Sequence, residues 1–211
     1  MNKIYSPLPN IKIDIERLHT EIFHFRKPDV NSPSLSFSFT TTKKYINDLN
    51  YDFTRYQGTS ESVPYTTRLK VYPDGEFDQN IVHWPKILEN TYMKELGDYF
   101  AQLLNVTQYR CRASYYNSLD KDFVGELHND PHTPYRIHIA LKTDPNVKWI
   151  LVDKHSNTYN IHQPADSTPV LIETGTTQHQ VIVPKNSIRI HIWFQYYNDI
   201  DQTLLDKLFT V

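Results

Sequence analysis

At 211 residues, 39% of them hydrophobic, the chain is long enough to bury one core without covalent staples. Lys and Arg total 22 against 24 Asp and Glu, a net charge of -2 with the signs mixed along the sequence, which argues against a basic nucleic-acid-binding surface. The single cysteine, Cys111, excludes an intrachain disulfide and a cysteine-built zinc site, and no apolar run approaches the roughly 18 residues of a membrane span. With no apolar leader at the N-terminus, a soluble cytoplasmic protein with neither membrane nor nucleic-acid partners is expected.

Asp14 precedes Ile15, Leu18, Ile22 and Phe25 at helical spacing and predicts a capped helix that ends before Pro28. Leu35, Phe37 and Phe39 alternate with serine, the pattern of a half-buried strand, and Thr41 or Thr42 is placed to cap a helix through Tyr45, Ile46 and Leu49. Residues 51–80 lose periodicity and gather Gly58, Pro64 and Pro73-Asp74-Gly75. So long an irregular stretch is expected to serve function, here as a lid or substrate wall. Residues 87–104 read as the clearest helix, with Tyr92, Leu96, Tyr99, Phe100 and Leu103 on one stripe.

From Val106 onward the pattern turns to β. Strands are expected at 107–116, 135–142, 148–153, 170–172, 180–183 and 187–195, separated by turn signals as in an antiparallel sandwich or barrel. Cys111 shares the parity of Tyr109, Ala113 and Tyr115 and is expected to be buried and inert. Leu204, Leu205 and Leu208 predict a short closing helix over 200–209. The expected organisation is one mainly β domain over 1–211, with a helical and irregular part over 1–105 bracing a β core over 106–197.

The stretch 126–141 carries the densest chemistry. It opens on His128-Asn129-Asp130, and side chains spaced i and i+2 in an extended segment point the same way, so an imidazole nitrogen and a carboxylate oxygen can reach one metal ion together. A third ligand has to come from elsewhere, and His179, at the mouth of a second β-like run, is the best placed. Two His and one carboxylate on one face of a metal leave the opposite positions open, the arrangement of non-haem Fe(II) oxygenases. The plainer role for Asp130 is to start a turn before Pro131.

Two strands share a further pattern. Ile137, Ile139 and Leu141 alternate with Arg136, His138 and Ala140, and Ile188, Ile190 and Ile192 alternate with Arg189, His191 and Trp193. Either strand alone could be turning its Arg/His face to water. The Arg-x-His shared by both makes a common cavity the more economical reading, and two arginines in a cavity call for carboxylate ligands. Trp193 either lines that cavity or fills the core.

His128-x-Asp130, Arg136-Ile-His138-Ile-Ala-Leu, His179-Gln-Val and Arg189 ten residues on resemble the aspartyl/asparaginyl β-hydroxylase-like branch of the Fe(II)/2-oxoglutarate-dependent oxygenases, which also includes proline hydroxylases. The resemblance covers about residues 107 to 195. It implies a double-stranded β-helix, a jelly-roll barrel related to the cupins, with iron held by His128, Asp130 and His179. Arg189 would pair with the distal carboxylate of 2-oxoglutarate, helped by a hydroxyl from Ser114 or Tyr116. His138 would lie near the cosubstrate's metal-binding end and Arg136 near cosubstrate or substrate.

The implied reaction couples decarboxylation of 2-oxoglutarate by O2, releasing succinate and CO2, to hydroxylation of a free amino acid, a peptidyl Asp or Asn, or a similar carboxylated substrate. Arg55 or Arg68 from the irregular segment and Trp193 are further candidates for substrate contact. Two other readings use the same residues: a cupin-like metalloenzyme that works without 2-oxoglutarate, and a jelly-roll binding module that holds no metal.

Overall fold

A computed structural model describes residues 4–25, 34–56, 78–197 and 200–208. Helix α1 (Ile15–Phe25) starts where a carboxylate oxygen of Asp14 accepts the backbone N–H of Arg17 at 2.9 Å, and it buries Leu18 and Ile22. Helix α2 (Tyr92–Leu103) begins later than the periodicity implies, because Thr91 takes the N-cap position and Lys86–Leu88 forms a separate 3-10 turn. Glu21 of α1 accepts the N–H groups of Tyr92 and Met93 at 2.9 and 3.0 Å, which sets an acid on the positive end of α2 and ties the helices together.

At the far end of α2, Val106 N–H bonds the Ala101 carbonyl at 2.9 Å and Asn105 N–H the Gln102 carbonyl at 3.1 Å, with Asn105 at φ 52°. These paired bonds close the helix and turn the chain into the first barrel strand. The helix expected after Thr42 is only a 3-10 turn, Lys43–Tyr45, and Thr42 makes no side-chain cap bond. So short a segment cannot repay the cost of nucleating an α-helix. A closing helix, α3 (Gln202–Leu208), buries Leu205. Among the described residues no helix is long and apolar enough to cross a membrane.

The strands are β1 (Tyr5–Pro7), β2 (Ser34–Ser38), β3 (Tyr109–Ser118), β4 (Phe123–Val124), β5 (Tyr135–Thr143), β6 (Lys148–Val152), β7 (Thr158–Ile161), β8 (Val170–Glu173), β9 (Gln178–Val183) and β10 (Ser187–Tyr196). They form a larger sheet in the order β1-β8-β5-β10-β3-β2 and a smaller one in the order β4-β9-β6-β7, with antiparallel pairing throughout. From β3 to β10 the chain passes back and forth between the sheets: β3, β5, β8 and β10 enter the larger, and β4, β6, β7 and β9 the smaller. That alternation is a double-stranded β-helix, a jelly roll. The sequence pattern misses β1, β4 and β7, whose two to four residues are too few to show a period.

The larger sheet has two unlike faces. Cys111, Ala113, Tyr115, Ile137, Ile139, Ile192 and Phe194 face the helices, where they pack with Leu18, Ile22, Met93, Leu96 and Phe100 in the main core. Cys111 is fully buried, and burial pushes its thiol well above the ordinary range. The opposite face meets the smaller sheet, with Trp149 and Leu151 of β6 packed on Val170 and Ile172 of β8. The pairing of β10 with β5 slips by one residue between Ile190 and His191, a bulge that sets Arg189 opposite Thr143 and His191 opposite Ala140. Tyr51, Phe53 and Tyr56, at the start of the expected lid, are buried in the main core, while residues 57–77 lie outside the described residues.

One close approach fixes how α2 sits on the barrel. A Cβ at Gly97 would lie 2.5 Å from the Tyr109 hydroxyl oxygen. That ring cannot retreat, because its hydroxyl accepts from the Trp84 indole at 2.8 Å and donates to Asp98 at 2.7 Å. Gly97→Ala gains helix propensity of about 1 kcal/mol, and the overpacking of about 1–3 kcal/mol outweighs it. A fall in thermal midpoint of several degrees is therefore expected in a melt.

Candidate metal and anion site

His128 and His179 are directly opposite each other in an isolated antiparallel bridge, with His128 N–H to the His179 carbonyl at 3.2 Å and the reverse bond at 2.7 Å. Their rings lie 4.4 Å apart, centroid to centroid. Asp130 N–H bonds the Thr174 carbonyl at 2.8 Å, and its own carbonyl accepts from Thr133, so a tight turn swings its carboxylate back to the same point. Asp130 Oδ2 lies 3.7 Å from His128 Nε2 and 3.2 Å from His179 Nε2. One ligand atom from each of the three residues falls within 4.8 Å of the others. The turn-starting role of Asp130 and the clustering with two histidines coexist in one residue.

Tautomer and charge suit this donor set. His128 Nδ1 sits 2.8 Å from the Glu126 carbonyl, which fixes the proton on Nδ1 and leaves the Nε2 lone pair facing Asp130. Burial, with the neighbouring His179, pulls the His128 imidazole down to about 4, so it is neutral at pH 7. Burial alone would raise the Asp130 carboxyl, but Arg136 above all, together with the two imidazoles, holds it well below the usual carboxylate range. Two imidazole nitrogens and one carboxylate oxygen are able to take one face of a divalent transition metal.

Arg136 is bound into the cluster: its Nη2 lies 2.6 Å from Asp130 Oδ2 and its Nη1 3.5 Å from His179 Nε2. A guanidinium thus stands against the oxygen on which both imidazoles converge. From this level the inner face of the larger sheet runs deeper through paired residues. Gln195 is opposite Arg136, Trp193 opposite His138, and His191 opposite Ala140 and Ser114, with Arg189 last, opposite Tyr116. Strand alternation puts these side chains on one face, as the shared Arg-x-His pattern implies.

His138 occupies the middle of that line. It is buried, neither ring nitrogen has a hydrogen-bond partner among the described residues, and it stacks on Trp193 at 5.8 Å and meets Trp149 of the facing sheet edge-on at 4.6 Å. Burial, then the charges of Arg189 and Arg136, hold its imidazole well below the ordinary value, so it is neutral. Trp193 is 6% exposed, with the Arg112 guanidinium 5.0 Å from its ring.

At the far end Arg189 is 4% exposed and lies over Trp149 at 5.2 Å, with Nη2 buried and unpartnered among the described residues. Burial lowers it to about 10, against the opposing influence of Tyr116. A buried guanidinium with a spare N–H group and no carboxylate is a ready anion site. Of the two hydroxyls expected to assist it, Ser114 is engaged with Ser36 at 2.5 Å, while the Tyr116 ring stacks on His191 and meets Phe123 at a tilt.

The remaining candidates fall elsewhere. Arg55 is exposed and rests on the Tyr45 ring at 4.4 Å, with its hydrogen bond to the same tyrosine, and Arg68 lies outside the described residues. The sequence pattern assigns no role to Trp149 or Arg112, and it sets His191 on the cavity face without one. The parity of His191 with Arg189 was visible in the sequence, whereas the closure of β6 over Arg189 is tertiary and left no local signal.

No family model matches the chain, and no curated protein matches it. Among solved structures it is similar to a prolyl-4-hydroxylase from Pseudomonas putida, at 15% identity and TM-score 0.37, over 50% of this chain and 58% of that one. It is also similar to an oxidoreductase of the 2OG-Fe(II) oxygenase family from Burkholderia pseudomallei, at 17% identity and TM-score 0.37, over 54% of each chain. A third, IDO from Bacillus thuringiensis, aligns at 11% identity and TM-score 0.41 over 62% of this chain and 74% of that one. The chain therefore spans little more than half the length of the first two, and the chemistry of its site has to be read from its own residues.

Proposed function

We propose that the chain is an Fe(II)- and 2-oxoglutarate-dependent dioxygenase that hydroxylates an amino acid, a peptidyl Asp or Asn, or a similar carboxylated substrate. The observation that carries this reading is the convergence of His128, Asp130 and His179 on one point, at one end of a line of same-face residues of the larger sheet whose other end is a buried arginine with an N–H group unpartnered among the described residues. A facial set of three protein ligands leaves positions for a chelating cosubstrate and O2, and a buried guanidinium suits the free end of a dicarboxylate. Bound Fe(II) supplies the oxidative chemistry, in which 2-oxoglutarate is decarboxylated to succinate and CO2 and the substrate gains a hydroxyl.

The chain's own part is positioning and exclusion of water. His128 presents a neutral imidazole to the metal, His179 its Nε2, and Asp130 a carboxylate kept ionised beside Arg136. Arg189 holds the distal carboxylate, with Tyr116 the better placed of the two candidate hydroxyls because Ser114 is bonded to Ser36. His138, its nitrogens free, offers an N–H or a lone pair to the cosubstrate between the metal end and Arg189. Trp149 and Trp193 wall the cavity and keep it dry, which strengthens each of these contacts. Arg136 borders the metal end, where a carboxylated substrate would approach, and Trp193 lies one step further along, opposite His138.

The test is an anaerobic titration with Fe(II) and then 2-oxoglutarate, watched for the weak visible absorption of the chelated cosubstrate. Its appearance, followed by succinate release once O2 is admitted, is the expected result. Iron binding without that absorption would point to cupin-like chemistry without the cosubstrate. A protein that takes up no iron would be a binding module.

A further inference from the structure

We propose that His191 is the positioning residue of the anion pocket: its ring holds the Arg189 guanidinium at one angle and thereby sets the length of dicarboxylate that the pocket accepts. The inference rests on the proposed cosubstrate reading and adds to it a residue and a specificity.

Arg189 Nη1 lies 2.7 Å from Nδ1 and 3.1 Å from Nε2 of His191, so the guanidinium meets the edge of the imidazole that carries both nitrogens. A neutral imidazole has one lone pair, and whichever tautomer is present can accept from Nη1. That contact commits one side of the fork and leaves Nη2, which is buried and unpartnered, to the ligand. The imidazole is itself immobile. It is 4% exposed and stacks on Tyr116 at 5.8 Å, on Trp193 at 4.8 Å and on His138 at 5.5 Å.

Trp149 of the smaller sheet lies against the guanidinium at 5.2 Å, so the cation is held by one sheet along its edge and by the other on its face. A long arginine side chain has many rotamers, and this pair of contacts selects one. The span from Nη2 to the metal end of the cavity is then fixed by the protein and not by the ligand. A dicarboxylate one carbon shorter or longer than 2-oxoglutarate cannot satisfy both ends unless Arg189 moves, and His191 is what opposes that movement. His191 touches the guanidinium and not the reacting atoms, so its effect belongs in cosubstrate binding and selectivity.

The test compares wild type, His191→Leu and His191→Gln as Fe(II)-loaded proteins under anaerobic conditions, titrated with 2-oxoglutarate, oxaloacetate and 2-oxoadipate. In His191→Leu the affinity for 2-oxoglutarate is expected to fall about 10–100-fold, and its preference over the shorter and longer acids to shrink by a similar factor, with iron affinity unchanged. Steady-state turnover with O2 should show the loss in KM for 2-oxoglutarate, with kcat within about threefold. His191→Gln, whose amide oxygen can accept from Nη1, should restore most of both properties. Unchanged affinity and selectivity in His191→Leu would overturn the proposal, as would equal loss in both variants. If wild type itself binds none of the three acids, the cosubstrate reading fails instead, and the two failures are distinct.

Discussion

Arg189→Met is expected to weaken 2-oxoglutarate binding by about 10²–10³-fold while leaving iron uptake intact, because a buried charged hydrogen bond is lost at the end of the cavity remote from the metal ligands. The same substitution should raise the melting temperature of the ligand-free protein. Burial lowers Arg189 from 12.5 to about 10, which corresponds to about 3 kcal/mol of destabilisation carried by the charged form at neutral pH. The sign follows from the direction: the arginine is charged in both folded and unfolded chains at pH 7, and the folded one pays for desolvation that the unfolded one does not. Loss of the contacts with His191 and Trp149 offsets part of that gain. Calorimetric titration and a thermal melt read the two effects separately. A variant that bound 2-oxoglutarate normally, or that melted several degrees lower, would make Arg189 a structural pillar of the barrel.

Asp130→Ala and His179→Ala should both abolish stabilisation by metal, yet differ without it. Saturating Fe(II) at about a hundred times its Kd stabilises a one-site protein by about 2.7 kcal/mol, and at this chain length that is a rise of roughly 5–10 °C. Wild type should show that rise anaerobically; neither variant should. In the metal-free protein Asp130→Ala is the more damaging, because it strands the Arg136 guanidinium, now paired with the carboxylate at 2.6 Å, in a nearly buried position at a cost of about 3–5 kcal/mol. His179→Ala leaves that ion pair whole. Equal metal-free stabilities would mean that the pair is weaker than its geometry implies, and a retained metal shift in either variant would remove that residue from the ligand set.

Strand parity carried most of what the sequence disclosed. Arg136 and His138 share a face, as do Arg189 and His191, because a period of two is rigid over five or more residues. The same regularity put Cys111 with the core side chains, and helical spacing behind a capping residue put Asp14 at the start of α1. What stayed hidden was set by distance along the chain. β1 pairs with β8, some 165 residues further on, and no three-residue segment announces such a partner. The ion pair of Arg136 with Asp130 depends on the turn through Thr133 that folds the chain back between them. Trp149 reads in sequence as one apolar residue in a strand; only the packing of the sheets makes it the cover over Arg189 and His138.

The bulge between β5 and β10 has a further effect on the anion pocket. In the register that joins His191 to Ala140, the residue facing Arg189 would be Lys142; the slip substitutes Thr143 and turns Lys142 out to solvent, beside His19 of α1. The number of positive charges at the pocket floor is therefore governed by whether the bulge is kept, as well as by which residues β5 contains. Closing the bulge, so that Leu141 pairs with Ile190, would bring an ammonium group in beside the guanidinium. A change that closes or moves this bulge is thus a route by which a barrel of this kind could change the charge of the acid it accepts, with every side chain of the pocket conserved.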